Sequence, residues 1–298
     1  MSAASAALVS AESILALTPI AIKKTPLDPI SAIWSRLLSS AVLGYALTGD
    51  RDLPRSEWPQ AAALGYTNLL HVATSYESFR NLQAGQAMSL LYTYPLWIII
   101  FGCIFNREEI RPHEYGFIGG AAVGSALLNM DPGTVAPTPL GRTANSSWGV
   151  IMGLLMAITE AGMHTLLKGL KWRDPAKSVW VVNSSASIWL GLALFVQNIF
   201  VNGTDNYSLK GSWLDIILLT AFHSLTMFSG YWLRFFAVPR LSTVSYAILS
   251  YAGLLASYLF GAFFLGERPG WLSMLGAAII VGSGLALQLA PGKIFTHE

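Results

Sequence analysis

Long runs of apolar residues, separated by short clusters of charged residues, proline and glycine, make up most of this 298-residue chain. Most runs are about 20 residues long, which as a helix at about 1.5 Å per residue matches a hydrocarbon core of roughly 30 Å. Such runs predict helices rather than barrel strands, because a backbone in lipid must satisfy its own hydrogen bonds. We predict membrane-spanning helices at residues 3–22, 29–48, 58–79, 82–105 and 113–130, then at 147–168, 176–201, 212–236, 241–265 and 270–289.

A segment rich in proline and glycine, residues 131–146, divides these ten helices into five and five. The predicted fold is an all-α membrane protein with a first five-helix repeat at 1–130, a linker loop at 131–146 and a second repeat at 147–298. Three pairs of short segments support the repeat at offsets of 158 or 159 residues: Leu82-Gln83-Ala84 with Leu241-Ser242-Thr243, Glu108 with Glu267, and Val123-Gly124-Ser125 with Val281-Gly282-Ser283. An odd number of helices per repeat inverts the second repeat, as in many carriers. A duplicated packing unit without a transport role is the alternative.

Composition supports a membrane protein and excludes several other classes. Hydrophobic residues make up 53% of the chain and charged residues only 11%, against about 25% charged in a soluble domain. A net charge of +2, with scattered Lys and Arg, argues against a nucleic-acid surface. The single Cys103 excludes a disulfide framework and a multi-cysteine metal site. We therefore expect membrane lipid and a small molecule as partners, with no nucleic acid and no cofactor.

The first apolar run, residues 3–22, lacks a basic N-terminal region and carries Glu12 in its middle, so we interpret it as a retained span rather than a signal peptide. Lys and Arg are more frequent in the loops on the side of the N terminus than in those on the other side. The positive-inside rule therefore predicts that both termini are cytosolic. The choice between the plasma membrane and an endomembrane stays open.

Two glutamates lie in the middle of predicted spans, Glu12 in the first helix of the first repeat and Glu160 in the first helix of the second. A charge within a span costs roughly 2.5–3.5 kcal/mol on insertion scales, so each is a functional candidate. Burial disfavours the ionised form of a carboxyl group, which suits proton exchange. His164 follows Glu160 by one helical turn and could share its proton. Alternatively, both carboxylates pair with Lys or polar groups and only fix the packing.

Two arginines and two histidines also lie within predicted spans. Arg36 in the second helix and Arg234 in the eighth could each neutralise an anionic substrate, since a guanidinium forks well onto a carboxylate or phosphate. Arg234 lies near the end of the eighth predicted helix, where snorkelling to the interface is the simpler interpretation. His71 and His223, in the third helix of each repeat, are interpreted as hydrogen-bonded packing residues.

The stretch from Leu241 to Leu289 resembles the last two helices of the drug/metabolite transporter superfamily. Its marks are a start rich in Ser and Thr, a helix of small residues, the motif Leu265-Gly266-Glu267-Arg268, and a final helix with spaced glycines. The first half repeats this pattern less closely with Tyr94-Pro95-Leu96-Trp97, Asn106-Arg107-Glu108-Glu109, and glycines at 116, 119, 120 and 124. The resemblance covers nearly the whole chain and implies an EamA-like ten-helix carrier.

A more local stretch, from Gly153 to Lys168, is similar to the first helix of the small multidrug resistance branch of that superfamily. In that branch a Glu couples substrate export to proton entry, and Glu160 stands at the matching position. Tyr246 likewise resembles the branch's substrate-contacting Tyr. Leu249, however, stands where the branch has a Trp, so an aromatic platform for flat cationic drugs is not implied.

These features favour a secondary active carrier or exchanger that moves a small polar metabolite across a membrane by alternating access, with proton coupling as one option. The predicted substrate or coupling residues are Glu160, His164, Glu12, Tyr246 and Arg36. The sequence contains no P-loop motif, and we do not expect an enzyme. The alternatives are an integral membrane enzyme and a membrane scaffold that does not transport. A monomer and a homodimer are both compatible with the sequence.

Overall fold

The computed structural model describes residues 2–94, 97, 100–101, 104, 112–130, 145–168, 174–200, 212–241 and 243–289. In these ranges the secondary structure is helical, without β-strands. The α-helices are α1 (Ala3–Leu15), α2 (Thr18–Lys24), α3 (Pro29–Leu47), α4 (Trp58–Asn81), α5 (Ala84–Leu91), α6 (Pro112–Met130), α7 (Ser146–Lys168), α8 (Pro175–Phe200), α9 (Trp213–His223), α10 (Ser229–Ala237), α11 (Thr243–Leu265) and α12 (Trp271–Leu289). The 3₁₀ turns Arg55–Glu57 and Val238–Arg240 and the π-helical segment Ser224–Phe228 complete the list.

The helices lie where the apolar runs predict them, although most residues after α5 in the predicted helix 82–105 lie outside the described part. Within the described ranges, five segments are long and apolar enough to cross a membrane, namely Ala3–Lys24, Pro29–Leu47, Ser146–Leu167, Pro175–Gln197 and Trp213–Arg240. Together they confirm an all-helical, multi-pass membrane protein. The count of ten spans and the relation between the two repeats remain predictions. Cys103, Glu108 and the linker residues 131–144 lie outside the described residues.

The first membrane-spanning segment is broken between α1 and α2. Pro19 has no N–H to donate to the carbonyl of Leu15, four residues earlier, and its ring would collide with that carbonyl in a continuous helix. The hydroxyl of Thr18 donates to the Leu15 carbonyl instead, at 2.6 Å. The Thr18 hydroxyl thus satisfies the Leu15 carbonyl at the break, which lies less than two turns beyond Glu12.

A second irregularity interrupts the segment between α9 and α10. The π-helical segment Ser224–Phe228 carries the chain from α9 into α10 without a loop. A π-helical turn holds an extra residue and so rotates the following helix about its axis. After the segment Ser224–Phe228, the face of α10 that carries Tyr231 and Arg234 lies towards the protein interior, and both residues are buried.

The principal helix pairs connect residues before and after the predicted linker. Helix α1 packs against α10 and α11, α7 packs against α4 and α5, α3 packs against α8, and α6 packs against α12. Close approach depends on glycine, because a Cβ at Gly124 of α6 would lie 2.7 Å from the carbonyl oxygen of Gly276 in α12. Small residues let helices approach closely in lipid, where no hydrophobic effect drives them together. This packing brings the middles of α1, α7 and α10 to one point.

Candidate functional site

Arg234 joins the two glutamates that the sequence singles out. Its Nε lies 2.9 Å from Oε1 of Glu12, and its Nη2 lies 2.9 Å from Oε1 of Glu160. All three residues are almost completely buried, with exposed fractions of 4% for Arg234, 1% for Glu12 and 2% for Glu160. We call this group the Glu–Arg–Glu cluster. Three helices distant in sequence, α1, α7 and α10, supply one residue each, so the cluster exists only when they are packed together.

The carboxylate of Glu12 is held at both oxygens. Oε1 faces Arg234, and Oε2 accepts a hydrogen bond of 2.8 Å from the hydroxyl of Tyr92. Tyr92 in turn packs against Tyr251, with ring centroids 5.7 Å apart. A charge-assisted hydrogen bond is roughly twice as strong as a neutral one. The two oxygens of Glu12 therefore face different partners, the Arg234 guanidinium on one side and the Tyr92 hydroxyl on the other.

Glu160 is held at one oxygen only. Its Oε2 accepts no hydrogen bond from the residues that the structure describes and lies 3.6 Å from Nε2 of His71. Nδ1 of His71 lies 3.3 Å from the carbonyl oxygen of Met156, which can only accept a hydrogen bond. The hydrogen-bond network thus assigns the proton of a neutral His71 to Nδ1 and leaves a lone pair on Nε2 facing the carboxylate. A proton at either atom would turn this contact of two acceptors into a hydrogen bond.

His164 and Tyr246 lie together beside the cluster. Their ring centroids are 4.9 Å apart, and the guanidinium carbon of Arg234 lies 6.0 Å from the centre of the Tyr246 ring. Tyr246 also meets the ring of Tyr94 edge to face at 6.2 Å. The fold therefore brings both predicted residues to the site, with Tyr246 next to Arg234 and His164 next to Tyr246. The imidazole next to the Glu160 carboxylate is that of His71, which the sequence suggested as a packing residue.

Arg36 approaches the same site through Tyr231. Its Nη2 donates a 2.8 Å hydrogen bond to the Tyr231 hydroxyl, and its guanidinium carbon lies 5.5 Å from the centre of that ring. The guanidinium carbon of Arg234 lies 5.9 Å from the centre of the same ring. Tyr231 thus connects two buried guanidinium groups. One of them is bound to two carboxylates and the other to a phenol.

The interpretation of Arg234 as a snorkelling residue is wrong. The predicted helix ended at residue 236, which placed Arg234 at the membrane surface, whereas the helical segment continues through Val238–Arg240. Two further residues of the site, Tyr92 and Tyr231, were not candidates in the sequence. The three-residue spacing of Tyr231 and Arg234 places both side chains on one face of a helix and is the only sequence signal that could have indicated this arrangement.

His223, the second histidine interpreted as a packing residue, lies in a separate group of polar side chains. Its Nδ1 lies 3.3 Å from the hydroxyl oxygen of Ser35, and its Nε2 lies 3.4 Å from the hydroxyl oxygen of Tyr76. Both contacts join α9 to helices of the first half of the chain. This environment agrees with the packing interpretation.

Comparison with known proteins gives a matching family model and two relatives. Residues 2–130 match the model of the EamA-like transporter family. The chain is 23% identical over 271 residues to the uncharacterised transporter YxxF of Bacillus subtilis, which covers 89% of this chain and 82% of that protein. It is 28% identical over 276 residues to the uncharacterised protein PA1977 of Pseudomonas aeruginosa, which covers 91% of this chain and 88% of that protein. The family and the transporter name point to a transporter rather than an enzyme.

A solved crystal structure of a protein has a similar fold. The superposition has a TM-score of 0.62 at 15% sequence identity and covers 97% of this chain and 99% of the other. At this identity the likeness concerns the fold alone, and it extends over both halves of the chain. Together with the match at residues 2–130, it agrees with the resemblance carried by the motifs of the sequence. The first half of the chain thus matches the EamA-like transporter family, within the drug/metabolite transporter superfamily, and a relative along most of the chain is named a transporter.

Proposed function

We propose that this protein is a secondary active carrier that moves a small polar metabolite by alternating access and couples this movement to protons through Glu160. The contact between Glu160 and His71 is the observation that carries the proposal. Two hydrogen-bond acceptors face each other there at 3.6 Å in a buried site. Such a contact is unfavourable without a proton and favourable with one, because buried acceptors without a donor keep their full desolvation cost.

The surroundings of this contact relate proton binding to the packing of the helices. Glu12 and Glu160 share the guanidinium of Arg234, so the three ionised groups carry one surplus negative charge. A proton on Glu160 removes that surplus and weakens its attraction to Arg234. Since Glu160 lies on α7 and Arg234 on α10, protonation changes how strongly these helices are held together. A carrier needs such a link between a bound ion and the arrangement of its helices.

The helix pairing supports two inverted five-helix repeats as the framework of this carrier. In the first predicted repeat α1 is the first helix, and it packs against α10 and α11, which belong to the third and fourth helices of the second repeat. In the second repeat α7 is the first helix, and it packs against α4 and α5, which belong to the third and fourth helices of the first. The first helix of each predicted repeat therefore packs against the third and fourth helices of the other, so the same pairs result when the two repeats are interchanged. Such symmetry favours a site at the middle of the membrane that opens to either side in turn.

The remaining parts of the proposal come from the sequence. We place both termini in the cytosol, on the distribution of Lys and Arg. The bound partners are a small-molecule substrate and membrane lipid, without nucleic acid or cofactor, and one chain with both repeats suffices for a pathway whether it is a monomer or a homodimer. Tyr246, Tyr92 and Tyr231 border the Glu–Arg–Glu cluster and are the aromatic residues that a polar substrate would contact.

Uptake by purified protein in proteoliposomes tests the proposal. A panel of radiolabelled anionic, neutral and cationic metabolites is offered with and without an imposed pH gradient. We expect at least one to accumulate and the gradient to increase its uptake. Glu160→Gln is expected to remove the effect of the gradient, whereas Glu77→Gln, the loss of a carboxylate at the end of α4, should retain it. Unchanged pH dependence in Glu160→Gln would exclude coupling at this residue, and the absence of any uptake would favour an enzyme or a scaffold.

A further inference from the structure

We infer that Arg36 binds an oxyanion of the substrate, so the transported metabolites are small molecules with a carboxylate or phosphate group. This inference rests on the proposed function and names its substrate class. It comes from a difference between the two buried guanidinium groups on either side of Tyr231. Arg234 has two carboxylates within 2.9 Å, whereas Arg36 has none within ion-pair distance among the residues that the structure describes.

Arg36 is deeply buried, with an exposed fraction of 4%. Its side chain makes one hydrogen bond, from Nη2 to the Tyr231 hydroxyl, in the described part of the chain. A guanidinium has five N–H donors, so most of its capacity is unused by the protein. Burying a charge costs several kcal/mol unless a partner compensates for it. An anionic ligand supplies that partner, and the planar fork of a guanidinium fits a carboxylate or phosphate through two hydrogen bonds.

A purely structural role for Arg36 is the competing explanation. Arg36 would then act at longer range as the counter-charge for the surplus negative charge of the Glu–Arg–Glu cluster. With Glu12 and Glu160 both ionised, the two arginines balance them. When Glu160 takes up a proton, however, this balance is lost and one positive charge remains, and Arg36 is the guanidinium without a carboxylate. Arg36 can therefore act as the long-range counter-charge of the cluster only while Glu160 is ionised.

The proton and the anion are linked by the same charges. Glu160 is faced by Arg234 from α10 and by His71 from α4, with Glu12 on the far side of Arg234 and His164 one turn along its own helix. A proton bound at the contact of Glu160 with His71 leaves the surplus positive charge that an anion at Arg36 neutralises. Proton and monoanion thus favour each other's binding and cross together without net movement of charge. Release of one on the other side favours release of the second.

Matched pairs of substrates test the assignment in proteoliposomes. Each pair differs only in the oxyanion: a monocarboxylic acid and its amide, a dicarboxylic acid and its diamide, and a sugar phosphate and the free sugar. A small cationic amine completes the panel. The variants are Arg36→Gln, Arg36→Lys and, as a control for loss of a buried guanidinium elsewhere, Arg80→Gln. Size-exclusion chromatography in detergent establishes that each variant is folded before transport is measured.

We expect the wild type to transport acids or phosphate esters in preference to their uncharged partners. Whether the carboxylic acids or the sugar phosphate are transported better shows which oxyanion the site prefers. Arg36→Gln should raise KM for the anion about 10- to 100-fold, as expected for loss of a charged hydrogen-bond donor. Arg36→Lys should recover part of that loss, and Arg80→Gln should keep the wild-type KM. If Arg36→Gln does not fold, Arg36→Lys tests the residue, since its KM for the anion should still exceed that of the wild type. The comparison of each acid with its amide in the wild type then tests the substrate class.

Three results would overturn the inference in distinguishable ways. Transport restricted to the uncharged or cationic compounds rejects the anionic substrate class but keeps the carrier. Anion transport with an unchanged KM in a folded Arg36→Gln variant rejects Arg36 as the binding residue. Failure of the wild type to transport any member of the panel rejects the proposed function together with the inference.

Discussion

The ammonium group of Lys23 is paired with the carboxylate of Glu267, 244 residues later in the chain, and both side chains are buried. Lys23 also donates to the carbonyl of Leu82 at 2.7 Å, and Oε2 of Glu267 accepts from the backbone N–H of Ala84, also at 2.7 Å. The pair therefore joins the end of α2, the start of α5 and the turn between α11 and α12. It connects the two predicted repeats near one end of the helices.

Removing one partner of this pair should destabilise the protein strongly. Glu267→Gln leaves Lys23 charged and buried without a counter-ion, a change that costs about 3–5 kcal/mol in comparable sites. The double change Lys23→Met with Glu267→Gln removes both charges and should recover much of this loss. The temperature of unfolding in detergent micelles measures the effect. Arg268→Gln, at the exposed neighbouring residue, is the control, and a Glu267→Gln variant as stable as that control would contradict the prediction.

The motif Leu265-Gly266-Glu267-Arg268, which carries much of the family resemblance, has a physical explanation in this turn. Helix α11 ends at Leu265, and Gly266 has a φ of 66°, in the left-handed region that glycine adopts without strain. This conformation reverses the chain before α12 and directs Glu267 inward to Lys23. The motif is therefore a helix end followed by a buried ion-pair partner.

The sequence predicted the helices and two of the central residues for a simple reason. Long apolar runs have few alternatives in lipid, so hydropathy indicated the helix positions to within a few residues. The positions of Glu12 and Glu160 in the middle of predicted spans made both of them functional candidates. The sequence did not predict Arg234 between them. The burial of the Arg234 side chain depends on the π-helical segment Ser224–Phe228 and on the continuation of the helix beyond residue 236. Neither has a sequence signal, because a π turn arises from packing rather than from a residue preference.

The hydroxyl of Tyr92 should contribute measurably to stability. It donates to the Glu12 carboxylate at 2.8 Å in a buried site, and hydrogen bonds to charged groups are typically worth about 1.5–3 kcal/mol. Tyr92→Phe removes this bond while keeping the ring that packs against Tyr251. Tyr94→Phe is the matched control, since the Tyr94 hydroxyl makes only a 3.5 Å contact with the uncharged Ser250. We expect a clearly larger loss of thermal stability for Tyr92→Phe, and equal losses in the two variants would show that the bond to Glu12 is unimportant.

The close approach of α3 and α8 should depend on Gly44. A Cβ at this position would lie 2.6 Å from the backbone nitrogen of Trp180 and 2.9 Å from the carbonyl oxygen of Ala176, and neither backbone atom can move without shifting α8. Gly44→Ala is therefore expected to destabilise the protein by about 1–3 kcal/mol, as overpacking does elsewhere. Gly49→Ala, where a Cβ meets nothing within 4 Å, is the control. A Gly44→Ala protein that unfolds at the wild-type temperature would rule out this tight contact.

An ion pair between a loop residue, Asp50, and the first turn of α8 gives a stability term that disappears in acid. Nζ of Lys177 lies 2.7 Å from Oδ2 of Asp50, and this hydrogen bond, aided by one from the backbone N–H of Asp52, lowers the pKa of the Asp50 carboxyl below its ordinary value of 3.8. The folded protein therefore binds this proton less readily than the unfolded chain. The carboxylate stabilises the fold above pH 4, and this contribution is lost as the pH falls through the lowered pKa.

The substitution Asp50→Asn removes that pH-dependent term. Because the Asp50 side chain is 56% exposed, solvent screens the pair and the difference from wild type should be small at pH 7. This difference in unfolding temperature between wild type and Asp50→Asn should shrink further as the pH falls below 4. It should also decrease at high salt, since exposed charges are screened. Unfolding temperatures of wild type and Asp50→Asn, measured in parallel from pH 7 to pH 3 at two salt concentrations, test both trends. A difference that stays constant over this range, or grows in acid, would mean that the pair with Lys177 does not stabilise the folded protein.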